Sequence, residues 1–187
     1  MMLSPRRFVV LATISWLSAA AWASTPKDSA FNAHPPHGIA VSADSRIARN
    51  YPQTECLDFQ RERKHIGFLC TSASKLFLAD FGITTVEGTQ DSPEHAQVAT
   101  GVSSYEMAPI PLHGHRLFTA EVDCDEGDEL QYRATSTCHV AFMPLTSTHF
   151  YYSSFVLRNH ATSTSRIDVQ AVLAIWESLT IPPGKQD

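Results

Sequence analysis

Four cysteines constrain the fold of this chain more than any other feature of its sequence. Cys56 and Cys70 have the same separation as Cys124 and Cys138. The residues inside the two pairs do not match, so the equal spacing is not an internal repeat. An even number of cysteines in an exported chain indicates disulfide bonds, and four cysteines allow three pairings.

Zinc is the alternative ligand for these cysteines. The sequence has no Cys-x-x-Cys knuckle, and an oxidising compartment favours disulfides over zinc-bound thiolates. We therefore expect bridges and no cofactor.

The N-terminal residues 1–23 predict export. Arg6 and Arg7 form a positive segment, residues 8–20 are almost entirely apolar, and the Ala-Trp-Ala of residues 21–23 suits a signal peptidase. The apolar run is shorter than the roughly 18 residues that a spanning helix usually needs. The sequence predicts cleavage after residue 23 and a secreted or periplasmic protein.

The charge of the remaining chain limits its partners. The whole sequence has a formal net charge of -5, and the signal peptide contains two arginines and no acidic residue, so the net charge of residues 24–187 is -7. A negative balance argues against nucleic acid and against an anionic membrane surface as partners. No second apolar stretch reaches spanning length, so we expect no membrane span after signal removal.

Composition divides the mature chain into two parts. Residues 24–52 contain four prolines and few large apolar side chains, which predicts a flexible leader that joins the fold around residues 39–47. Residues 53–187 have the length of a single globular domain.

Short apolar runs separated by polar turns predict antiparallel strands from residue 55 onward. Residues 56–59 and 66–70 flank the polar run 61–65, and a hairpin centred there places Cys56 opposite Cys70. The clearest strand is 118–124, in which buried and polar positions alternate.

The remaining segments are assigned by the same pattern. Residues 76–81 and 130–134 are predicted as strands, residues 88–101 as a loop, and residues 139–143 with 150–157 as a hairpin. A simple meander through 130–134 would move Cys138 away from Cys124. Either this segment is irregular and the bridge is local, or the cysteines pair differently.

The C-terminal segment predicts a helix. Ser165 is a candidate N-cap, and apolar residues follow at helical spacing up to the stop at Pro182 and Pro183. Its branched residues leave a strand as the alternative. The resulting fold class is α+β: an antiparallel sheet of several short strands with one C-terminal helix packed on it, stapled by disulfides.

Two histidines form a candidate metal site. His113 and His115 are two residues apart, so on a strand both rings would lie on one face and could reach one metal ion. The alternative is a turn at Gly114, with both rings in water.

A cluster of carboxylates surrounds Gly127. An EF-hand calcium loop does not fit, because its twelfth position is Ala134 instead of glutamate. The cluster is therefore either a solvated turn or a contact surface for a basic protein partner. Its members are Asp123, Asp125, Glu126, Asp128 and Glu129.

No motif in the sequence specifies a reaction. There is no Gly-x-Ser-x-Gly elbow, and the members of a catalytic triad would meet only in space. The sequence favours an exported non-catalytic binding domain for another protein, such as an inhibitor or an immunity-type cap of an envelope-acting enzyme. The alternative is a small periplasmic hydrolase or metal-binding protein that uses a histidine pair.

Overall fold

The computed structural model describes residues 31, 33–89, 92–101, 103–125, 135–146 and 148–181. Over these residues the chain forms ten strands and three short helices. In chain order they are β1 Ile39–Ala43, α1 Ser45–Ala48, β2 Thr54–Arg61, β3 Lys64–Ser72, α2 Lys75–Asp80, β4 Ile83–Thr89, β5 Ser92–Thr100, β6 Ser103–Leu112, β7 His115–Cys124, β8 Ser136–Pro144, β9 Phe150–Asn159, β10 Thr164–Ser165 and α3 Val169–Glu177. The predicted signal peptide and the predicted strand 130–134 lie outside this range.

The strands form one antiparallel sheet in the order β1-β2-β3-β9-β8-β7-β6-β5-β4, and β10 pairs with β9. The chain builds one edge with β1 to β3 and then crosses through α2 to the opposite edge. From there β4 to β9 form a meander that returns to β3. The junction between β3 and β9 is thus a contact between segments far apart in sequence, with Cys70 opposite Tyr152.

The sheet bends at β6, because the two halves of this strand have different neighbours. Residues 103–107 pair with β5, whereas residues 108–112 pair with β7. Pro109 and Pro111 both lie in the second half, where β7 is the paired strand. Proline fits such a position because no second ladder needs its missing N–H. The bend brings β5 against β7.

α3 and the N-terminal residues cover the first face of the sheet. Val172, Ile175 and Trp176 on α3 are buried there. The Trp176 indole N–H donates a hydrogen bond of 3.0 Å to the Ser153 hydroxyl. Phe31 stacks on the ring of Tyr151 with 5.5 Å between centroids. This face therefore contains a continuous apolar core.

α2 and the bent half of the sheet cover part of the second face. Phe77 of α2 is fully buried and contacts the rings of Tyr51, Phe150 and Tyr152 at 5.0 to 5.7 Å. Tilted and edge-on rings at such distances are favourable aromatic pairs. Both disulfides belong to this second core or pack against it.

Both disulfides are local. Cys56 lies directly opposite Cys70 with 4.1 Å between Cα atoms, as the hairpin prediction requires. Cys124 pairs with Ser136 across β7 and β8, so the same face of the hairpin brings Cys138 within 5.8 Å of it. These findings confirm the disulfide prediction and decide in favour of local pairing.

The sheet, the C-terminal helix and the disulfides confirm the coarse fold class, but two secondary-structure predictions are wrong. Residues 76–81 lie mainly in helix α2, and residues 92–100 of the predicted loop form β5. The apolar run 76–81 is too short for its periodicity to separate helix from strand. In β5, Ala96 and Val98 are buried among polar neighbours, which is a weak alternation signal.

The ends of the domain also differ in detail from the predictions. Asp168, and not Ser165, caps α3, because its carboxylate accepts a hydrogen bond of 2.7 Å from the Ala171 N–H. Ser165 pairs with Arg158 in β10. The edge strand β1 lies within residues 39–47, where the leader is expected to join the fold, and further upstream the backbone N–H of His34 donates to Ser178 Oγ at 2.9 Å.

None of the described helices has the length and apolar character needed to cross a membrane. The two disulfides are compatible with an extracellular or periplasmic protein.

Candidate binding groove

Two adjoining cavities form a groove on the second face of the sheet. The first has a volume of about 470 Å³ and the second of about 380 Å³. Both are lined by Cys124, Asp125 and Ser154, so these residues form the middle of the groove. Cavities of about 300 to 1,000 Å³ are typical of ligand sites.

The first cavity is lined by more cationic side chains than anionic ones, with Asp125 as the carboxylate where it meets the second cavity. Lys64 and His65 at the start of β3 and Arg166 after β10 line it, together with the apolar side chains of Phe68 and Val156. Arg166 is held close to β2 and β9, because its carbonyl accepts a hydrogen bond of 3.0 Å from Arg61 and its N–H donates to Leu157 at 2.9 Å.

A β-bulge aims His65 at the groove. Phe59 pairs with Gly67 and Gln60 pairs with His65, so Ile66 is the extra residue of β3. Ile66 is buried in the core of the first face. Because one residue is inserted, His65 and Phe68 both lie on the second face and both line the same cavity.

Asp58 on β2 orients the His65 ring. His65 Nδ1 lies 2.5 Å from Asp58 Oδ1, and Gln60 Nε2 donates to the other carboxylate oxygen at 2.6 Å. A carboxylate accepts hydrogen bonds, so Nδ1 of His65 is the donor and the ring is fixed in one orientation. Nε2 is the nitrogen that remains for chemistry in the groove.

Asp44 and Arg46 support this pair from the neighbouring helix α1. The Arg46 guanidinium lies 3.6 Å from Asp58 and 3.4 Å from Asp44. Burial alone would raise the pKa of Asp44, but hydrogen bonds from the backbone and side chain of Arg46 outweigh it and lower the pKa below its usual 3.8. Asp44 therefore stays ionised and anchors Arg46 beside Asp58.

The second cavity is aromatic and apolar. Phe81, Val98, Val140 and Tyr152 line it. Burial raises the pKa of Tyr152, which stays neutral at physiological pH. The carboxylate at this end is Asp80, which accepts a hydrogen bond of 2.9 Å from Tyr51.

The middle of the groove contains polar groups and a disulfide. Ser154 on β9 lies opposite Phe68 on β3, and Asp125 follows directly after β7. The Asp125 carboxylate accepts a hydrogen bond of 3.1 Å from Thr135. The Cys124–Cys138 bridge lies between the two cavities and ties β7 to β8 there.

A further titratable group is buried outside the groove. His139 is only 3 % exposed, and its Nδ1 has no hydrogen-bond partner within the described residues. Burial lowers the pKa of His139 from 6.5 to about 4. It pairs across the sheet with Glu121 and Phe155, on the face opposite the groove.

The predicted metal ligands lie in a hairpin turn. His113 and Gly114 both have positive φ, and Leu112 pairs with His115, which defines a two-residue turn between β6 and β7. The His113 side chain is exposed. The described ranges contain no group of three or more His, Cys, Asp or Glu residues that could hold a metal ion. The metal site stays a prediction.

The acidic cluster is described only in part. Asp123 accepts a hydrogen bond of 3.2 Å from the Tyr105 hydroxyl, and Asp125 lines the groove. Glu126, Asp128 and Glu129 lie outside the described residues. Of the two described members of the cluster, Asp125 lines the groove and Asp123 does not, and the role of the cluster in binding stays a prediction.

Sequence reasoning missed the basic end of the groove. A regular hairpin centred on Arg63 pairs His65 with Arg61, whereas the bulge at Ile66 pairs His65 with Gln60 and so places it on the same face as Asp58. No local signal in the sequence predicts this bulge. Arg166 reaches this end only through the non-local pairing of β3 with β9.

Comparisons with models of protein families, with curated proteins and with solved structures found no match for this chain.

Proposed function

We propose that this chain is an exported, non-catalytic binding domain whose partner is another protein, and that the groove on the second face is its binding site. An inhibitor or an immunity-type cap of an envelope-acting enzyme is the kind of protein that this proposal describes. The observation that carries it is the groove itself, with cationic side chains at one end and aromatic side chains at the other.

Three features of the groove support binding. Its walls combine apolar area with a small number of polar groups, as ligand sites do. The Cys124–Cys138 bridge and the hydrogen-bonded Asp58 restrain its walls, and a restrained site loses less entropy when a partner docks. Lys64 and Asp125, of opposite charge, line the same cavity, which favours one orientation of the partner.

Export is part of the proposal. Residues 1–23 have the composition of a signal peptide, and disulfides are common in secreted proteins. Mass spectrometry of the exported protein is expected to give an N-terminus at Ser24. Retention of Met1 in the mature protein would contradict export by cleavage.

Site-specific photo-crosslinking tests the binding surface. A benzoylphenylalanine is placed at Thr100, which lines the second cavity, and in a matched variant at Gln170, which is exposed on α3. In an envelope extract of the source cells we expect a discrete adduct at Thr100 and none at Gln170. An adduct confined to Gln170, or no adduct at Thr100, would contradict a groove-based function.

A hydrolase is the second candidate, because Asp58 orients His65 in a cavity that also contains Ser154. Acyl transfer needs the nucleophile within hydrogen-bond reach of its base, and the described residues contain no hydrogen bond between Ser154 and His65. Binding without catalysis predicts equal p-nitrophenyl butyrate hydrolysis by wild type, Ser154→Ala and His65→Gln. A loss of about 100-fold or more in both variants would favour the hydrolase.

A further inference from the structure

We infer that the groove binds an extended peptide segment of the partner, with a carboxylate at the basic end and a large apolar side chain at the aromatic end. This inference rests on the proposed function, since it names the part of the partner that the groove takes. It follows from the charge, the length and the polar lining of the groove.

The charge of the basic end is exceptional in this acidic protein. Of the nine Lys and Arg residues in the described part of the chain, five lie where β2 ends, β3 begins and β9 ends. They are Arg61, Arg63, Lys64, Arg158 and Arg166. Such a concentration attracts an anionic group from a distance and holds it at short range.

Lys64 and Arg166 are the two of these residues that line the first cavity, and His65 lies beside them. A guanidinium and an ammonium group match the two oxygens of a carboxylate. The Asp58 carboxylate is buried, accepts hydrogen bonds from His65 and Gln60, and lies 3.6 Å from the Arg46 guanidinium, which offsets its charge toward an incoming anion.

The length of the groove fits a short extended segment. Along β9, Val156 lines the first cavity, Ser154 lines both, and Tyr152 lines the second. Four residue steps along a strand span about 13 Å. An occupant that reaches from Val156 in the first cavity to Tyr152 in the second therefore spans about four extended residues.

The polar groups in the middle favour a peptide over an acyl chain. The Ser154 hydroxyl and the Asp125 carboxylate can accept hydrogen bonds from backbone N–H groups. An acyl chain would cover both groups without offering a hydrogen bond, which is unfavourable. A peptide, and not an acyl chain, is therefore the occupant that the lining of the groove favours.

The test uses NMR titration of the exported protein with its disulfides formed. The probe is acetyl-Phe-Ser-Gly-Val with a free carboxylate, compared with the same peptide as its amide and with a Phe-to-Ser version. We expect shifts in residues 64–68 and 152–156, and dissociation constants about tenfold weaker for both altered peptides. Acetyl-Phe-Ser-Gly-Glu amide distinguishes a side-chain carboxylate from a terminal one.

Two variants and a matched control assign the carboxylate contact. Lys64→Gln and Arg166→Gln are each expected to weaken the free acid about five- to tenfold while leaving the amide unchanged. Arg63→Gln removes the same charge from the neighbouring turn residue, which does not line the groove, and is expected to change affinity less than about twofold.

Four results would overturn the inference. Equal affinity of acid and amide, an equal effect of Arg63→Gln and Lys64→Gln, or the absence of shifts in the groove would each exclude a carboxylate-bearing peptide site. Tighter binding of sodium decanoate than of the peptide would identify an acyl site instead. A Thr100 adduct together with any of these results would leave the proposed function standing and the inference refuted.

Discussion

The two faces of the sheet are covered in different ways. On the first face, α3 and the N-terminal residues lie over the strands, and the Trp176 N–H donates to the Ser153 hydroxyl beneath the helix. On the second face, α2 covers the aromatic cluster around Phe77, while the strip from His65 to Tyr152 stays open as a groove.

This difference separates stability from binding. The first face buries large side chains, and neither of the two cavities that form the groove lies on it. Substitutions on this face should therefore act on folding. The second face is stapled by both disulfides, which stabilise a fold without filling its surface. A groove whose walls are restrained by covalent bonds can stay open, because side chains packed into it are not needed to hold the walls in place.

Truncation of Trp176 gives the largest expected loss of stability. The side chain is fully buried and donates its hydrogen bond to Ser153. Trp176→Ala should lower the free energy of unfolding by about 3 to 5 kcal/mol, measured by chemical denaturation. Gln170→Ala, exposed on the same helix, is the control and should change it by less than about 0.5 kcal/mol. An unaltered unfolding midpoint for Trp176→Ala would mean that α3 does not form this core.

Removal of either disulfide should cost somewhat less. Both bridges close loops of the same separation, 14 residues, so the double alanine variants should each lose about 3 kcal/mol in the chain-entropy model. The Cys124–Cys138 variant should also weaken probe binding, because this bridge lines the groove, whereas the Cys56–Cys70 variant should bind normally. Equal probe binding by both variants would show that the Cys124–Cys138 bridge does not shape the groove. Peptide mapping without reductant checks the two pairings beforehand.

Acidification should destabilise the first face through His139. The pKa of this ring falls from 6.5 in the unfolded chain to about 4 in the folded protein. The unfolded chain therefore binds the proton more tightly, and the contribution of the neutral ring is complete above pH 6.5 and is lost as the pH falls from 6.5 to 4. The loss reaches about 3 kcal/mol.

The His139→Leu variant is the control for this pH dependence, because leucine cannot titrate. Denaturation curves at pH 7, 5.5 and 4 should show a smaller loss of stability in the variant than in the wild type. Parallel pH profiles for the two proteins would assign the acid sensitivity to other groups. The groove should not contribute to this difference, since His139 lies on the opposite face.

The elements that the sequence predicted well are those whose signal is local. Phe118 and Val122 alternate with the exposed Glu121 and Asp123 over most of β7, and the polar turn around Arg63 fixed the Cys56–Cys70 hairpin. α2 was mistaken for a strand because six residues contain less than two helical turns. The β5 strand was missed because polar side chains surround Ala96 and Val98.

The groove could not be predicted for a different reason. Its walls come from β3, β5, β7, β8 and β9, and the pairing of β3 with β9 joins segments about 80 residues apart in sequence. Arg166 and Lys64 meet only after this pairing. The sequence-based candidates are His113 with His115 and the acidic cluster. They could be recognised in the sequence because their residues lie close together along the chain.

The smallest expected effect on stability comes from the acidic cluster, which tests how far binding extends beyond the groove. Asp125, Glu126 and Asp128 are changed together to lysine. Surface charges contribute little to folding, so the unfolding midpoint should change only slightly, although Asp125 loses its hydrogen bond from Thr135. Clustered negative charge speeds encounter with a basic surface, and salt screens this attraction. The variant should therefore associate more slowly with the partner identified by crosslinking, and its association rate should depend less on salt.

The single variant Asp125→Asn is the matched control for the groove, because it removes one charge and retains a hydrogen-bond acceptor. If the triple variant associates at the wild-type rate at low ionic strength, the cluster is a solvated turn and the partner contacts the groove alone.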